Sequence, residues 1–176
     1  EGQEIAIAGT VRPLGEPVLA PFSRRPCVAY EYKMRPIARR GGQAPPMVSG
    51  EALSPSVIES SVGSARLLAW PFLQNFVEAQ FDSEEHRRNA REYIATTQFE
   101  KVTLSGAISK VRELLADDDG SIKIDMNNGG EIDPDSMYLS EKIVPAGARV
   151  CAIGRWSAAK GGIIPNPDSA QGVELI

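Results

Sequence analysis

The feature that most constrains this chain is a proline-rich connection between two strand-like segments near its start. Residues 4–12 and 27–35 alternate apolar and polar side chains, which is the pattern of strands. Four prolines lie in or beside the connection: Pro13, Pro17, Pro21 and Pro26. A proline donates no backbone hydrogen bond and fixes φ at about −65°, so it interrupts helices and central strands. We therefore predict that residues 14–25 form an ordered edge or loop between two strands.

The second of these runs also indicates which of its faces is buried. One face carries four mainly apolar side chains: Val28, Tyr30, Tyr32 and Met34. The opposite face carries Cys27, Ala29, Glu31 and Lys33. Because successive side chains alternate across a strand, we expect the first set to face the core.

Helical periodicity is confined to the middle of the chain. Asp82-Ser83 is a candidate N-cap, with Glu85 in capping-box spacing, and a helix is predicted over 84–98. A second, shorter helix is predicted over 105–116 because apolar side chains repeat on one face there. Both would belong to a helical insertion over about 82–116.

Strand-like patterns resume after this insertion. Further strands are expected at 121–126, 138–144, 148–156 and 162–165, and one or two more within 47–69. The order of strands, helices and strands indicates an α+β fold with a mostly antiparallel sheet, closed into a barrel or curled, and one or two inserted helices. We treat the whole chain, 1–176, as a single domain.

Composition excludes several classes of site. The 176 residues are 42% hydrophobic, which is enough for a core, and the formal net charge of −4 argues against nucleic-acid binding. Two cysteines and one histidine are too few for a zinc framework, and no catalytic or phosphate-binding signature motif is present. No stretch reaches the roughly 20 apolar residues of a membrane span. Because the chain begins with Glu1 rather than Met, we expect it to be a segment of a longer protein.

Few residues are candidates for chemistry. Cys27 and His86 could act as nucleophile and base, but no third partner is visible, and a buried, inert cysteine is the commoner outcome. Cys27 and Cys151 could meet across a sheet and form a disulfide in an oxidising compartment. Residues 125–136 partly match a calcium loop, but Ser136 replaces the required glutamate, so a hairpin turn is favoured.

Two groups of surface candidates remain. The basic run at Arg24, Arg25, Arg39 and Arg40 is a possible interaction surface for a partner or for anionic lipid headgroups, with a solvated face as the alternative. Trp70, Phe72, Leu73 and Phe76 could form an exposed anchor, although core is the commoner outcome for such a cluster. For nucleic acid, the only aromatic and basic candidates are Trp156, Tyr138, Arg149 and Arg155.

Two blocks near the ends of the chain resemble a known domain family. The first comprises Gly9-x-Val11-x-Pro13, the PLGEPVLAP stretch and Ser23-x-x-Pro26-Cys27-Val28-x-Tyr30. The second is EKIVPAGARVCAIGRW, with Glu141, Ile143, Pro145, Gly147 and Gly154. Together they resemble the GIDE ("beside a membrane") domain of the MULAN-type mitochondrial ubiquitin ligase and its prokaryotic relatives. Residues 39–115 have no motif that matches.

The resemblance implies a β-rich domain, tethered beside a membrane through flanking segments, that makes protein contacts. Ligase activity in the eukaryotic members belongs to a separate RING, whose cysteines and histidines this chain lacks, so ligase activity does not carry over. We therefore expect a non-catalytic module for protein interaction or assembly, without a cofactor or metal and without nucleic acid as a partner. The alternatives are a nucleic-acid- or ligand-binding β-barrel module, and part of a ubiquitin-ligase-like protein without its RING.

Overall fold

The structure is a computed structural model that describes residues 2–37, 48–73, 75–100, 122–127, 132–165 and 173–176. Its strands are β1 (Glu4–Pro13), β2 (Val18–Leu19), β3 (Pro26–Pro36), β4 (Val48–Leu53), β5 (Ser56–Ser60), β6 (Gly63–Leu67), β7 (Pro71–Phe72), β8 (Ala79–Phe81), β9 (Ile122–Asn127), β10 (Met137–Pro145), β11 (Arg149–Ser157), β12 (Gly162–Ile164) and β13 (Val173–Leu175). One α-helix is described, α1 (Glu84–Thr96), and a 3-10 turn, Pro134–Ser136, precedes β10.

Five of the strands close a barrel. Around it they run in the order β1, β5, β6, β12, β11 and back to β1. The pairings are antiparallel except for β6 with β12, which is parallel. In chain order these are the first, second, third, fifth and fourth barrel strands, the arrangement of an OB-type Greek-key barrel. Two short strands, β13 and β7, extend the sheet beside β11.

The closure joins the beginning of the chain to its last quarter. β1 pairs with β11 over seven residue pairs, from Glu4 opposite Arg155 to Thr10 opposite Arg149. The two end blocks therefore meet in one sheet through the pairing of β1 with β11. Gly154 is needed here, because a Cβ at this position would lie 2.6 Å from Ile163 Cγ2 and 2.8 Å from the Ile164 carbonyl oxygen.

A second antiparallel sheet is inserted between the barrel strands. Its order is β8, β10, β3, β4, β9, with β2 paired to β3. One end of this sheet packs on the barrel, where Ala29, Leu53 and Val144 are fully buried in the barrel-side core. The opposite face carries Tyr30, Tyr32 and Met34, all buried as their alternation predicts, in a separate core beneath α1. Val28, the fourth residue of the predicted set, is buried in the barrel-side core.

The helix begins at the predicted residue, Glu84, and ends at Thr96, two residues before the predicted end. Ser83 is the N-cap, and its hydroxyl accepts a hydrogen bond from the His86 backbone N–H. A capping box pairs the N-cap with the residue three positions later, which would be Glu85 if Asp82 were the cap. With Ser83 as the cap that position is His86, so Glu85 forms no capping box. Ala90 and Tyr93 form the buried stripe of α1 over the second sheet.

The predicted α+β class is confirmed, with one described helix, a closed barrel and a second sheet. The prediction of one or two strands in 47–69 was too low, because β4, β5 and β6 all fall there. Short turns at Ser54-Pro55 and at Ser61-Val62 separate these strands, so each strand is too brief to show a clear alternation. The second predicted helix, 105–116, lies outside the described residues. Among the helical residues that the structure describes, none forms a segment long and apolar enough to cross a membrane.

Candidate functional site

A buried polar cluster lies between α1 and the second sheet. Asp125 on β9 is 6% exposed, and its Oδ1 accepts hydrogen bonds from the hydroxyls of Tyr32 and Tyr93, each at 2.7 Å. The Tyr30 hydroxyl lies 3.1 Å from that of Tyr93. Two strands, β3 and β9, and the helix therefore meet at one carboxylate.

The chemistry of this cluster is that of donors rather than of bases. Burial is the main cause that raises the pKa of Tyr30, Tyr32 and Tyr93, so these hydroxyls stay protonated and donate. Lys123 lies 3.4 Å from Asp125 Oδ2 and 4.7 Å from the centre of the Tyr93 ring. The cluster is satisfied internally, which is the arrangement of a structural link.

Gly50 leaves the space that this cluster occupies. It lies opposite Tyr32 on one neighbouring strand and Asp125 on the other. A Cβ at this position would be 2.6 Å from Asp125 Oδ1 and would also overlap the Tyr32 ring. Only a residue without a side chain allows the tyrosine and the carboxylate to meet across the strand between them.

A second buried carboxylate, Glu141 on β10, holds the proline-rich connection. It is 2% exposed, and its carboxylate accepts hydrogen bonds from the backbone N–H groups of Phe22 and Ser23. Burial raises the pKa of Glu141, and the two N–H groups oppose that rise. The turn at the middle of the connection is therefore fixed to the second sheet.

The helix fixes the same turn from the other side. Asn89 on α1 donates to the Phe22 carbonyl oxygen at 2.7 Å, and Arg24 forms an ion pair with Glu92 at 2.8 Å. Arg24 adopts φ of 55°, an unusual value for a residue other than glycine. Its backbone N–H also bonds the Ala20 carbonyl oxygen at 3.0 Å, so that this backbone conformation is held by several contacts.

Part of this rigid connection faces solvent. Leu14 is 55% exposed and Leu19 is 54% exposed, and Arg25 is also exposed. The Leu14 N–H bonds the Pro55 carbonyl oxygen at 2.8 Å, and Leu19 belongs to β2, which pairs with β3. We call the exposed part of residues 14–25 the proline-rich surface. It combines two apolar side chains with a backbone that is held at both ends.

The four arginines of the predicted interaction surface have different outcomes. Arg24 is tied to α1 through its ion pair, and Arg25 is exposed beside it at the end of the proline-rich surface. Arg39 and Arg40 lie outside the described residues. The described part of the chain thus places two of the four on one surface.

No described hydrogen bond joins Cys27 to His86, and no disulfide joins Cys27 to Cys151. Cys27 is buried in the second sheet, where burial raises the pKa of its thiol to about 12, whereas the His86 ring bonds the exposed Ser83 hydroxyl at 2.5 Å. A thiol with this pKa is a poor nucleophile. Cys27 and Cys151 are both free, and they belong to different sheets, so the possible disulfide between them is not formed.

The aromatic cluster and the calcium-like loop are also resolved in part. Trp70 and Leu73 are buried in the barrel-side core, as their core alternative predicted. Asp125, the first residue of the calcium-like loop, lies on β9 and accepts hydrogen bonds from Tyr32 and Tyr93. Residues 128–131 of that loop lie outside the described residues. In the described ranges no group of three or more His, Cys, Asp and Glu side chains is placed to share a metal ion.

A groove of about 440 Å³ lies at the β8 edge of the second sheet. Its lining combines charged and aromatic side chains: Arg35, Glu78, Gln80, Phe81, Asp82 and Tyr138. Glu78 accepts a hydrogen bond from Ser140 at 2.6 Å, and Arg35 lies 3.9 Å from it. Glu78 is therefore engaged with Ser140 and Arg35 within the groove.

Sequence reasoning missed both buried carboxylates as structural centres. Asp125 was seen only as part of a strand or a calcium loop, and Glu141 only as a residue of the family motif. For Glu141 the available signal was a polar residue on the otherwise apolar strand face of Met137, Leu139 and Ile143, which requires a buried partner. Asp125 gave no such signal, because it shares its strand face with Lys123 and Asn127.

Comparisons with models of protein families, with curated proteins and with solved structures found no match for this chain.

Proposed function

We propose that this chain is a non-catalytic domain of a membrane-tethered protein, and that it mediates protein interaction or assembly beside a membrane. The observation that supports the interaction role is the proline-rich surface. Two leucines more than half exposed are presented there by a backbone that α1, β3 and Glu141 hold in place. A surface that is already ordered loses little conformational entropy when a partner binds, so its apolar contacts are converted efficiently into affinity. The resemblance of the two end blocks supports the setting beside a membrane.

The test replaces both leucines in the membrane-tethered parent protein. Proximity labelling of the wild type should identify a specific neighbouring protein. In the double variant Leu14→Asp/Leu19→Asp, we expect that protein to be no longer labelled. With that protein purified, we expect its affinity for the domain to fall at least about tenfold, as for the loss of a central apolar contact. The melting temperature should fall only slightly, because more than half of each side chain is exposed.

The matched control is Val62→Asp. Val62 is 93% exposed at the turn between β5 and β6, and thus tests the same change of chemistry away from the proline-rich surface. Its binding should equal that of the wild type. Equal binding by the double variant and the wild type would remove the proline-rich surface from the proposal.

Nucleic-acid binding is the second candidate, because OB-type barrels often bind oligonucleotides. The described residues argue against it, because the aromatic and basic candidates are divided between the two sheets. Tyr138 lies on the second sheet, whereas Trp156, Arg149 and Arg155 lie on β11 of the barrel, and Arg155 Nε donates to the Gly2 carbonyl oxygen at 2.7 Å. On the barrel surface, Arg12 is paired with Glu59 at 2.6 Å.

We therefore expect labelled single-stranded DNA and RNA oligonucleotides to show no salt-dependent binding in fluorescence anisotropy. An affinity that falls steeply as salt is added would reverse the order of the two candidates, because that dependence reports phosphate contacts.

A further inference from the structure

Two carboxyl groups face each other across the middle of the second sheet. Glu31 on β3 lies directly opposite Glu51 on β4, and on its other side it lies opposite Lys142 on β10. Directly opposed side chains in an antiparallel pair have Cβ atoms about 5 Å apart, so the two carboxyl groups are within reach of each other. Like charges in that position are destabilising, so a nearby cation, a hydrogen-bond donor or a bound proton must offset the charge of one carboxyl group.

The surroundings do not neutralise both acids. The charged side chains around the pair are Lys33 from β3, Lys142 from β10 and Glu78 from the segment before β8. On β9, the residue opposite Glu51 is the apolar Ile124. Glu51 Oε2 is buried and has no hydrogen-bond partner among the described residues. A buried carboxylate oxygen without a donor is costly, whereas a protonated carboxyl can itself donate.

Glu31 and Lys142 together hold the segment that joins the two sheets. The Leu73 N–H donates to Glu31 Oε1 at 3.4 Å, and Lys142 Nζ donates to the Leu73 carbonyl oxygen at 2.9 Å. Leu73 is 1% exposed, and the preceding β7 pairs with β13 beside the barrel. We call this junction of residues 70–73 with the second sheet the seam.

We propose that Glu31 and Glu51 share one proton at neutral pH, and that loss of this proton at higher pH loosens the seam between the second sheet and residues 70–73. The proton belongs to the pair: a protonated Glu51 donates to Glu31, which keeps its charge opposite Lys142 and its bond to Leu73. With both groups ionised, repulsion separates them and moves Glu31 away from the Leu73 N–H. This inference does not depend on the proposed function.

The direction of the pH dependence follows from the pair. Burial, with Glu31 as the second cause, raises the pKa of Glu51 from 4.5 to about 8, and burial also raises the pKa of Glu31. Between pH 4.5 and about pH 8 the folded chain therefore binds more protons than the unfolded chain. The contribution of this pair to stability is fully present below about pH 4.5 and is lost as the pH rises towards 8.

The test is thermal unfolding of the full chain and of Glu51→Gln between pH 5.5 and pH 8.5. The glutamine amide reproduces the protonated acid and does not titrate. We expect equal melting temperatures at pH 5.5, and at pH 8.5 a variant that melts about 5 °C above the wild type. Cys27, whose thiol is un-ionised in the folded chain, is common to both proteins, so its contribution cancels.

Glu16→Gln is the matched control, because Glu16 is an exposed glutamate of the proline-rich connection. It should follow the wild type at every pH. A Glu51→Gln variant that is less stable than the wild type at all pH values, or that falls in parallel with it, would overturn the proposal.

A second measurement requires no variant. In carbon-13-labelled wild-type protein, one glutamate carboxyl should titrate near pH 8, and the Leu73 amide resonance should move with the same midpoint. If all glutamate carboxyls titrate below pH 6, the shared proton does not exist.

Discussion

Replacing Asp125 with alanine should lower the free energy of unfolding by about 4 kcal/mol, since each of two buried hydroxyls left without an acceptor costs about 1–3 kcal/mol. The acceptor lost is Oδ1, which Tyr32 and Tyr93 share. No water replaces it readily, because Asp125 is 6% exposed and α1 covers the cluster. Urea unfolding followed by circular dichroism measures the change.

The Asp125 prediction has two internal controls. Asp125→Asn keeps a side-chain oxygen in place and should cost less than the alanine variant. In the Asp125→Ala background, Tyr32→Phe should recover part of the stability, because it removes one of the orphaned hydroxyls. A cost below about 1 kcal/mol for alanine would show that the tyrosines find other partners.

Replacing Glu141 with alanine should cost about 3 kcal/mol and release the turn of the proline-rich connection. The backbone N–H groups of Phe22 and Ser23 lose their acceptor, and the Phe22 side chain is fully buried. Hydrogen exchange at these two amides should accelerate more than exchange in the barrel strands. The release should also weaken any partner that binds the proline-rich surface, although Glu141 itself is buried.

Two variants separate the roles of the contacts around this turn. Glu141→Gln retains an oxygen acceptor and should keep most of the protection. Arg24→Ala removes only the exposed ion pair with Glu92, which is typically worth less than about 1 kcal/mol. If the Phe22 and Ser23 amides stay protected in Glu141→Ala, the turn is held mainly by Asn89 and by β2.

The elements that could be predicted from the sequence were those with a clear local period. The strands β1, β3, β9, β10 and β11 and the helix α1 show alternation or helical spacing, and all were found within about two residues of their predicted bounds. The three-residue strand β12 was also predicted, at 162–165. The five-residue strands β5 and β6 are too short to show such a period, and therefore three strands of 47–69 were read as one or two.

The candidate site was harder to predict from the sequence, because the residues that meet there are distant in the chain. The alternation of β3 placed Tyr30 and Tyr32 in the core, but nothing local to β9 indicates that Asp125 receives their hydroxyls. Likewise, Glu31 faces Glu51 only through the register of β3 and β4. Such pairings depend on which strands become neighbours, and the local patterns of a single sequence do not show that.

The closure of the barrel also has a consequence for biosynthesis. As the chain leaves the ribosome, β1, β5 and β6 are available early, but β11 and β12, which complete the ring, are made only after the whole second sheet. Closing contacts between such remote segments is entropically costly and makes folding slow. Until then the unpaired edges of β1 and β6 can pair with other chains. We therefore expect a chaperone that covers these edges to reduce aggregation of the nascent barrel.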